Sequence, residues 1–308
     1  MVLKTAMVLA FVLLVCWSLW TPDLDRADLE RQYARAGSQF VQTPGLRTHV
    51  QIEGPAQAPV VLLLHGFGSS LQTWDVWADG LATDHRVVRL DIAGFGLTGP
   101  AEPADYSDEA DVQRLLAVVD QLGLSRMTVV GHSMGGRLAW HFAAVHPQRV
   151  DKLVLIAPDG FPDPQAKSDK TYDVPAWMGV ARYALPRWLI KKGVASAYAD
   201  SSCLDDATAR RYKDMLLAPG VRPAVLARMA QTRNRDPLPW LQRLNMPTLL
   251  LWGEQDQMIP VANAMDYQRA IPHAQRVVMP GVGHLPHEEQ PQLSLQAMRA
   301  FLQRPLAP

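Results

Sequence analysis

Seven short runs of aliphatic and β-branched residues restrict most strongly how this chain can fold. They are RTHVQIEG (47–54), PVVLLLHG (59–66), HRVVRLDIAG (85–94), RMTVVGHS (126–133), KLVLIAPDG (152–160), PTLLLWGEQD (247–256) and QRVVMPGVGH (275–284). Most are apolar at nearly every position, and a strand apolar on both faces must lie in a sheet that is covered on both sides. The intervening stretches SDEADVQRLLAVVDQLG and MGGRLAWHFAAVHP repeat their apolar residues at helical spacing. The expectation is an α/β protein with a mostly parallel sheet flanked by helices. With 308 residues and 48% hydrophobic content, the chain can bury the large core that such a sheet requires.

The rhythm breaks between about residues 161 and 245, where prolines gather around PAWMGVARYALPRWLIKKGVASAY and DDATARRYKDMLL. This stretch reads as a helical cap inserted over the carboxyl edge of the sheet, where ligands bind in such folds. The expected organisation is a core of 41–160 and 246–308, a cap of 161–245, a linker of 23–40 and an N-terminal segment of 1–22. That segment holds TAMVLAFVLLVCWSLW after Lys4 and ends in two tryptophans. No small-x-small cleavage pattern follows it, so an uncleaved membrane anchor is expected, with a cleaved signal or a helix packed on the domain as alternatives. Lys4 on the cytoplasmic side would place the rest of the chain outside the cytoplasm, on the periplasmic side, or secreted if the segment is cleaved.

Lys plus Arg and Asp plus Glu each number 30, and neither sign dominates a long segment. Nothing in this balance calls for nucleic acid or another polyanion, and a small or neutral ligand is expected. The two cysteines are Cys16 and Cys203, and only the second lies outside the N-terminal apolar run. No disulfide framework can therefore form within the folded part. There is no His/Cys cluster with metal-ligand spacing and no glycine-rich phosphate loop, so neither a metal nor a cofactor is expected.

The chemistry concentrates at the ends of the strand-like runs. GHSMG (131–135) sets a serine between glycines where a strand meets a helix, which is the pattern of a sharp turn that exposes a nucleophile beside free helix amides. The plainer reading is a glycine turn with Ser133 as an ordinary N-cap. Its partners follow in order: Asp256 in GEQDQMIP beyond TLLLW, and His284 in GVGHLPHEEQP beyond the last strand. The order Ser, Asp, His at successive strand ends fits a nucleophile, an orienting acid and a general base. The backbone amides of Phe67, in LLLHGFGSS, and of Met134 are the expected oxyanion donors.

Rivals exist for two of these roles. Asp159, after KLVLIAP, could supply the acid, and His287 lies three residues beyond His284. His132 is expected to point away from the nucleophile and to pack or to support the site from behind, His65 to bond backbone in its own loop, and Asp91 to organise the loop DIAGFG. Cap residues such as Trp177, Met178, Trp188 and Met215 are expected to pack the cap, with some lining an acyl pocket.

The motifs HGFG (65–68), DIAGFGLT (91–98), GHSMGG (131–136), GEQD (253–256) and GVGH (281–284) resemble those of the α/β-hydrolase superfamily over roughly residues 40 to 305. Within it, the chain is most similar to bacterial capped serine esterases and lipases, including ones with an N-terminal signal or anchor. The resemblance implies hydrolysis of a small lipophilic ester through an acyl-enzyme held by Ser133, Asp256 and His284. Haloalkane dehalogenases and epoxide hydrolases of this fold carry an aspartate where this chain has Ser133. Carbon–carbon hydrolases of ring-cleavage products share the SMGG elbow but usually carry a tryptophan after the histidine, where Leu285 stands here. That activity and a non-enzymatic ligand receptor remain as alternatives.

Overall fold

The computed structural model describes residues 4, 5, 7, 11, 14, 17–161, 171 and 173–305. Eight strands form one sheet: β1 (Ser38–Thr43), β2 (Leu46–Glu53), β3 (Val60–Leu64), β4 (Arg86–Leu90), β5 (Met127–His132), β6 (Val150–Ile156), β7 (Thr248–Gly253) and β8 (Gln275–Met279). Their order is β1-β2-β4-β3-β5-β6-β7-β8, with β2 antiparallel to both neighbours and every pairing from β4 to β8 parallel.

The two-sided apolar character of the strands is used literally. Along β3, Leu62 and Leu64 enter a core with Trp140 and Phe142 on one face, while Val61 and Leu63 enter a second core with Trp74, Trp77 and Phe301 on the other. Alternate side chains of a strand point to opposite faces, so each strand nails down two helical layers at once. Each fully buried leucine contributes about 1.5–3 kcal/mol relative to leaving it exposed. The helices include α1 (Arg26–Tyr33), α2 (Asp75–Leu81), α3 (Asp108–Gln121) and α4 (Met134–Val145). Between β6 and β7 the chain is helical, with α5 (Arg187–Ala195), α6 (Asp206–Leu216) and α7 (Val221–Gln231). Residues 162–170 and 172 of that stretch lie outside the described residues. Further helices, α8 (Asn263–Ala270) and α9 (Pro291–Leu302) among them, follow β7 and β8.

Residues ahead of the sheet are tied to this body. Asp25 caps α1 through the Asp28 amide, Leu29 is buried, and Arg26 donates to the Leu97 carbonyl at 2.8 Å. The Thr21 amide donates to the Tyr183 carbonyl at 2.8 Å, and the Trp20 ring stacks on Tyr183.

The expected membrane anchor, and the placement of the catalytic domain outside the cytoplasm that rested on it, are corrected here. Among the described residues no helix is long and apolar enough to cross a membrane. The run from Thr5 to Trp20 falls short of the about 20 apolar residues a span needs. Its residues 6, 8–10, 12, 13, 15 and 16 lie outside the described residues.

Candidate active site

Because β3, β5, β7 and β8 run parallel, the loops that follow them emerge on one edge of the sheet. Ser133 sits between β5 and α4 with φ 52° and ψ −120°, one of two non-glycine residues at positive φ among the described residues. Side chains rarely hold that conformation unless their surroundings impose it. Here the Ser133 amide donates to the Ile156 carbonyl at 3.0 Å, and the Ser133 carbonyl accepts from the amides of Arg137 and Asp159. The flanking glycines make the turn possible by close approach. A Cβ on Gly131 would lie 2.2 Å from the Gly135 carbonyl oxygen, and one on Gly135 would lie 2.4 Å from the carbonyl oxygens of Leu64 and His65.

Asp256 and His284 meet as the order of the motifs suggests. His284 Nδ1 donates to Asp256 Oδ2 at 2.8 Å, and both side chains are buried. Asp256 Oδ1 accepts the amides of Met258 at 2.8 Å and Ile259 at 2.9 Å, so the carboxylate is fixed from both oxygens. With Nδ1 donating to the carboxylate, Nε2 of the neutral His284 ring is left unprotonated. Among the described residues no hydrogen bond joins the Ser133 hydroxyl to His284; the two share the lining of one cavity. Serine–histidine contacts of this kind often tighten only when substrate is bound.

That cavity has a volume of about 280 Å³, with Gly66, Phe67, Ser133 and His284 on the sheet side and Leu189 and Ile190 of α5 opposite. Phe67 is 45% exposed and its ring packs edge-on against Phe95 at 5.4 Å. Met134 is the first residue of α4, where an amide has no partner within its own helix. A Cβ on Gly66 would lie 2.6 Å from His132 Nδ1 and 3.2 Å from the Ser133 Cβ, so only glycine lets this loop close on the turn.

The rivals are placed elsewhere. Asp159 pairs with Arg137 at 3.6 Å, and it reaches Ser133 only through its backbone amide. His287 is buried against Trp74 and bonded to Thr73 at 3.0 Å, and burial drives its pKa down to about 3. His65 donates to the Gly66 carbonyl at 2.8 Å and accepts the Ile92 amide at 2.9 Å. Asp91 is fully buried and accepts the amides of Leu71 and Leu97 together with His49 Nδ1. Burial opposes its charge, but the His49 contact and these amides bring its pKa below the usual carboxylate range.

His132 is buried and supports the loop that carries His284. It lines the cavity, its ring lies 4.6 Å from those of both His284 and His287, and its Nε2 donates to the His284 carbonyl at 2.8 Å. Burial and the two neighbouring rings hold its pKa well below 6.5, so it stays neutral. Sequence reasoning also passed over Glu288 and Glu289. Glu288 binds Arg211 at 2.7 Å and accepts from Thr73, Tyr198 and Tyr212, joining α6 to the core. The pair stands in plain view in LPHEEQP, but a charged doublet on a turn reads first as solvated surface.

Comparisons agree with this architecture. A protein-family model described as the alpha/beta hydrolase fold matches residues 59–291. Epoxide hydrolase 3 of Xenopus tropicalis is 29% identical, over 84% of this chain and 75% of that protein. Among solved structures, a bacterial membrane phospholipase A is 27% identical with a TM-score of 0.75, covering 98% of this chain and 96% of its own. A thermophilic esterase from Thermogutta terrifontis is 28% identical with a TM-score of 0.70, covering 86% and 98%. This chain belongs to the alpha/beta hydrolase fold family.

Proposed function

We propose that the protein hydrolyses carboxylic esters through an acyl-enzyme on Ser133. The observation that carries this reading is the 2.8 Å bond from His284 Nδ1 to Asp256 beside a serine held on a strained turn in the same cavity. Ser133 Oγ attacks the ester carbonyl carbon while its proton passes to His284 Nε2. The amides of Phe67 and Met134 receive the oxyanion. Collapse breaks the bond to the alcohol, which leaves with the proton from His284; a water, deprotonated by the same nitrogen, then releases the acid. No step needs a cofactor.

The apolar lining fits a small lipophilic ester, with the helical insertion as the roof of the acyl pocket. Similarity to an epoxide hydrolase does not transfer its chemistry, because a serine that opened an epoxide would form an ether that water does not cleave. A p-nitrophenyl ester chain-length series tests the reading. Wild-type protein is expected to turn esters over, and Ser133→Ala to lose about 10³-fold or more while remaining folded. Unchanged turnover in that variant sinks the mechanism. Loss of colour from a ring-cleavage dienoate without ester turnover would reassign the site to carbon–carbon hydrolysis, and stoichiometric binding without turnover would make it a receptor.

A further inference from the structure

The loop that carries His284 is held by the helical insertion as well as by the sheet. His284 donates its amide to the Ala197 carbonyl at 2.8 Å, just past the end of α5, and receives His132 Nε2 on its carbonyl at 2.8 Å. Its two neighbours are bound by one carboxylate: Glu289 accepts the Gly283 amide at 2.9 and 3.1 Å and the Leu285 amide at 3.4 Å. The same Glu289 accepts the amide of Ala199 at 2.9 Å. Close approach is part of the arrangement, because a Cβ on Gly283 would lie 2.4 Å from the Ala199 nitrogen and 2.8 Å from Glu289 Oε1. Glu289 is only 9% exposed, and among the described residues no cation is paired with it.

The geometry points to Glu289 as a positioning residue that stitches residues 197–199 of the insertion to the catalytic histidine loop, so that His284 is in working position only while that part of the insertion is seated. This rests on the reading of Ser133 and His284 as nucleophile and base. A buried carboxylate without a cation needs several amide donors to be stable, and it receives them from two segments far apart in the chain. Removing either segment would strand the charge, so the two are coupled. Both oxygens are used as acceptors, which an amide cannot copy: Gln would turn an NH₂ group toward an N–H donor. The segment 197–199 is therefore fixed scaffolding for the base. By contrast α5 only lines the cavity: Leu189 is half exposed, and a Cβ on Gly193 would meet nothing within 4 Å.

The rate at which a fluorophosphonate labels Ser133 tests this without reference to any particular ester. Glu289→Gln is expected to slow labelling by about 10- to 100-fold, since a small misplacement of a catalytic group costs on that order. It is expected to lower kcat for p-nitrophenyl butyrate with KM little changed. In a His284→Ala background, adding Glu289→Gln should slow labelling no further, because its effect passes through the histidine. Labelling of Glu289→Gln at the wild-type rate, or an equal further loss in the His284→Ala background, overturns the inference and leaves the serine-hydrolase reading standing. Wild-type protein that is not labelled at all removes both.

Hydrogen exchange on the unmutated protein gives a second check should the variant not fold. Peptides covering 197–199 and 283–285 should open together and more slowly than α5. Exchange of 197–199 at the rate of α5, with 283–285 still protected, overturns the coupling.

Discussion

Asp256 and Asp159 follow adjacent strands, β7 and β6, and either could be named as the acid from the order of motifs. Their surroundings separate them. Asp256 holds His284 with one oxygen and two backbone amides with the other, whereas Asp159 faces Arg137. Asp256→Asn is therefore expected to cost about 10³ to 10⁴ in ester turnover, since the amide favours the wrong tautomer and cannot offset the imidazolium. Asp159→Asn should retain most activity; steady-state rates of the two purified, folded variants make the comparison. The placement of Ser133, Asp256 and His284 in loops on one edge of the sheet was legible in the sequence, because motif and strand end coincide there. The packing or supporting role expected of His132 fits its bond to the His284 carbonyl, but its place in the cavity lining was not legible, because strand alternation describes a side chain inside a ladder and β5 ends at that residue. Glu289 was not legible, because its partners are backbone amides, which leave no trace in residue identity.

At the scale of elements, the turn around Ser133 depends on how closely β3, β5 and α4 approach. Gly135→Ala would push a methyl group to 2.4 Å from two carbonyl oxygens of the chain leaving β3, and backbone cannot swing aside as a long side chain can. A loss of about 1–3 kcal/mol is expected from such overpacking. Gly179→Ala, where a Cβ meets nothing within 4 Å and φ is ordinary, should stay within about 0.5 kcal/mol. Urea midpoints of the two variants read the difference. The buried parallel strands were visible as apolar runs because both faces are covered. The strand β1, SQFVQT, was not, because as an edge strand it pairs only with β2 and leaves polar side chains exposed. Helix α1 was read within a linker because Leu29 is its only buried residue and charged side chains fill the rest.

For the whole molecule, buried histidines set an acid limit on stability, among them His287, His141, His132 and His65, whose pKa burial also lowers. Burial lowers the pKa of His287 to about 3 and of His141 to about 4, and holds that of His132 well below 6.5. Each is neutral in the fold but binds a proton once unfolded below about pH 6.5, so the unfolded state carries more protons and stability falls as pH falls. The loss approaches about 1.4 kcal/mol per pH unit for each histidine below that point. Urea midpoints at pH 7 and pH 5 should therefore differ clearly, and His287→Gln should flatten the slope; a slope unchanged by that variant contradicts neutral burial. The N-terminal apolar run shows the limit of reading hydropathy alone: its composition suggested a span, whereas among the described residues no helix is long and apolar enough for one, and Trp20 stacks on Tyr183 of the insertion. The central claim, that Ser133 is the nucleophile, is tested most directly by treating the protein with a fluorophosphonate and locating the adduct by peptide mass. One phosphonyl group on Ser133, gained in step with loss of ester turnover, is the expected result; an adduct on another residue, or full turnover with Ser133 modified, would contradict it.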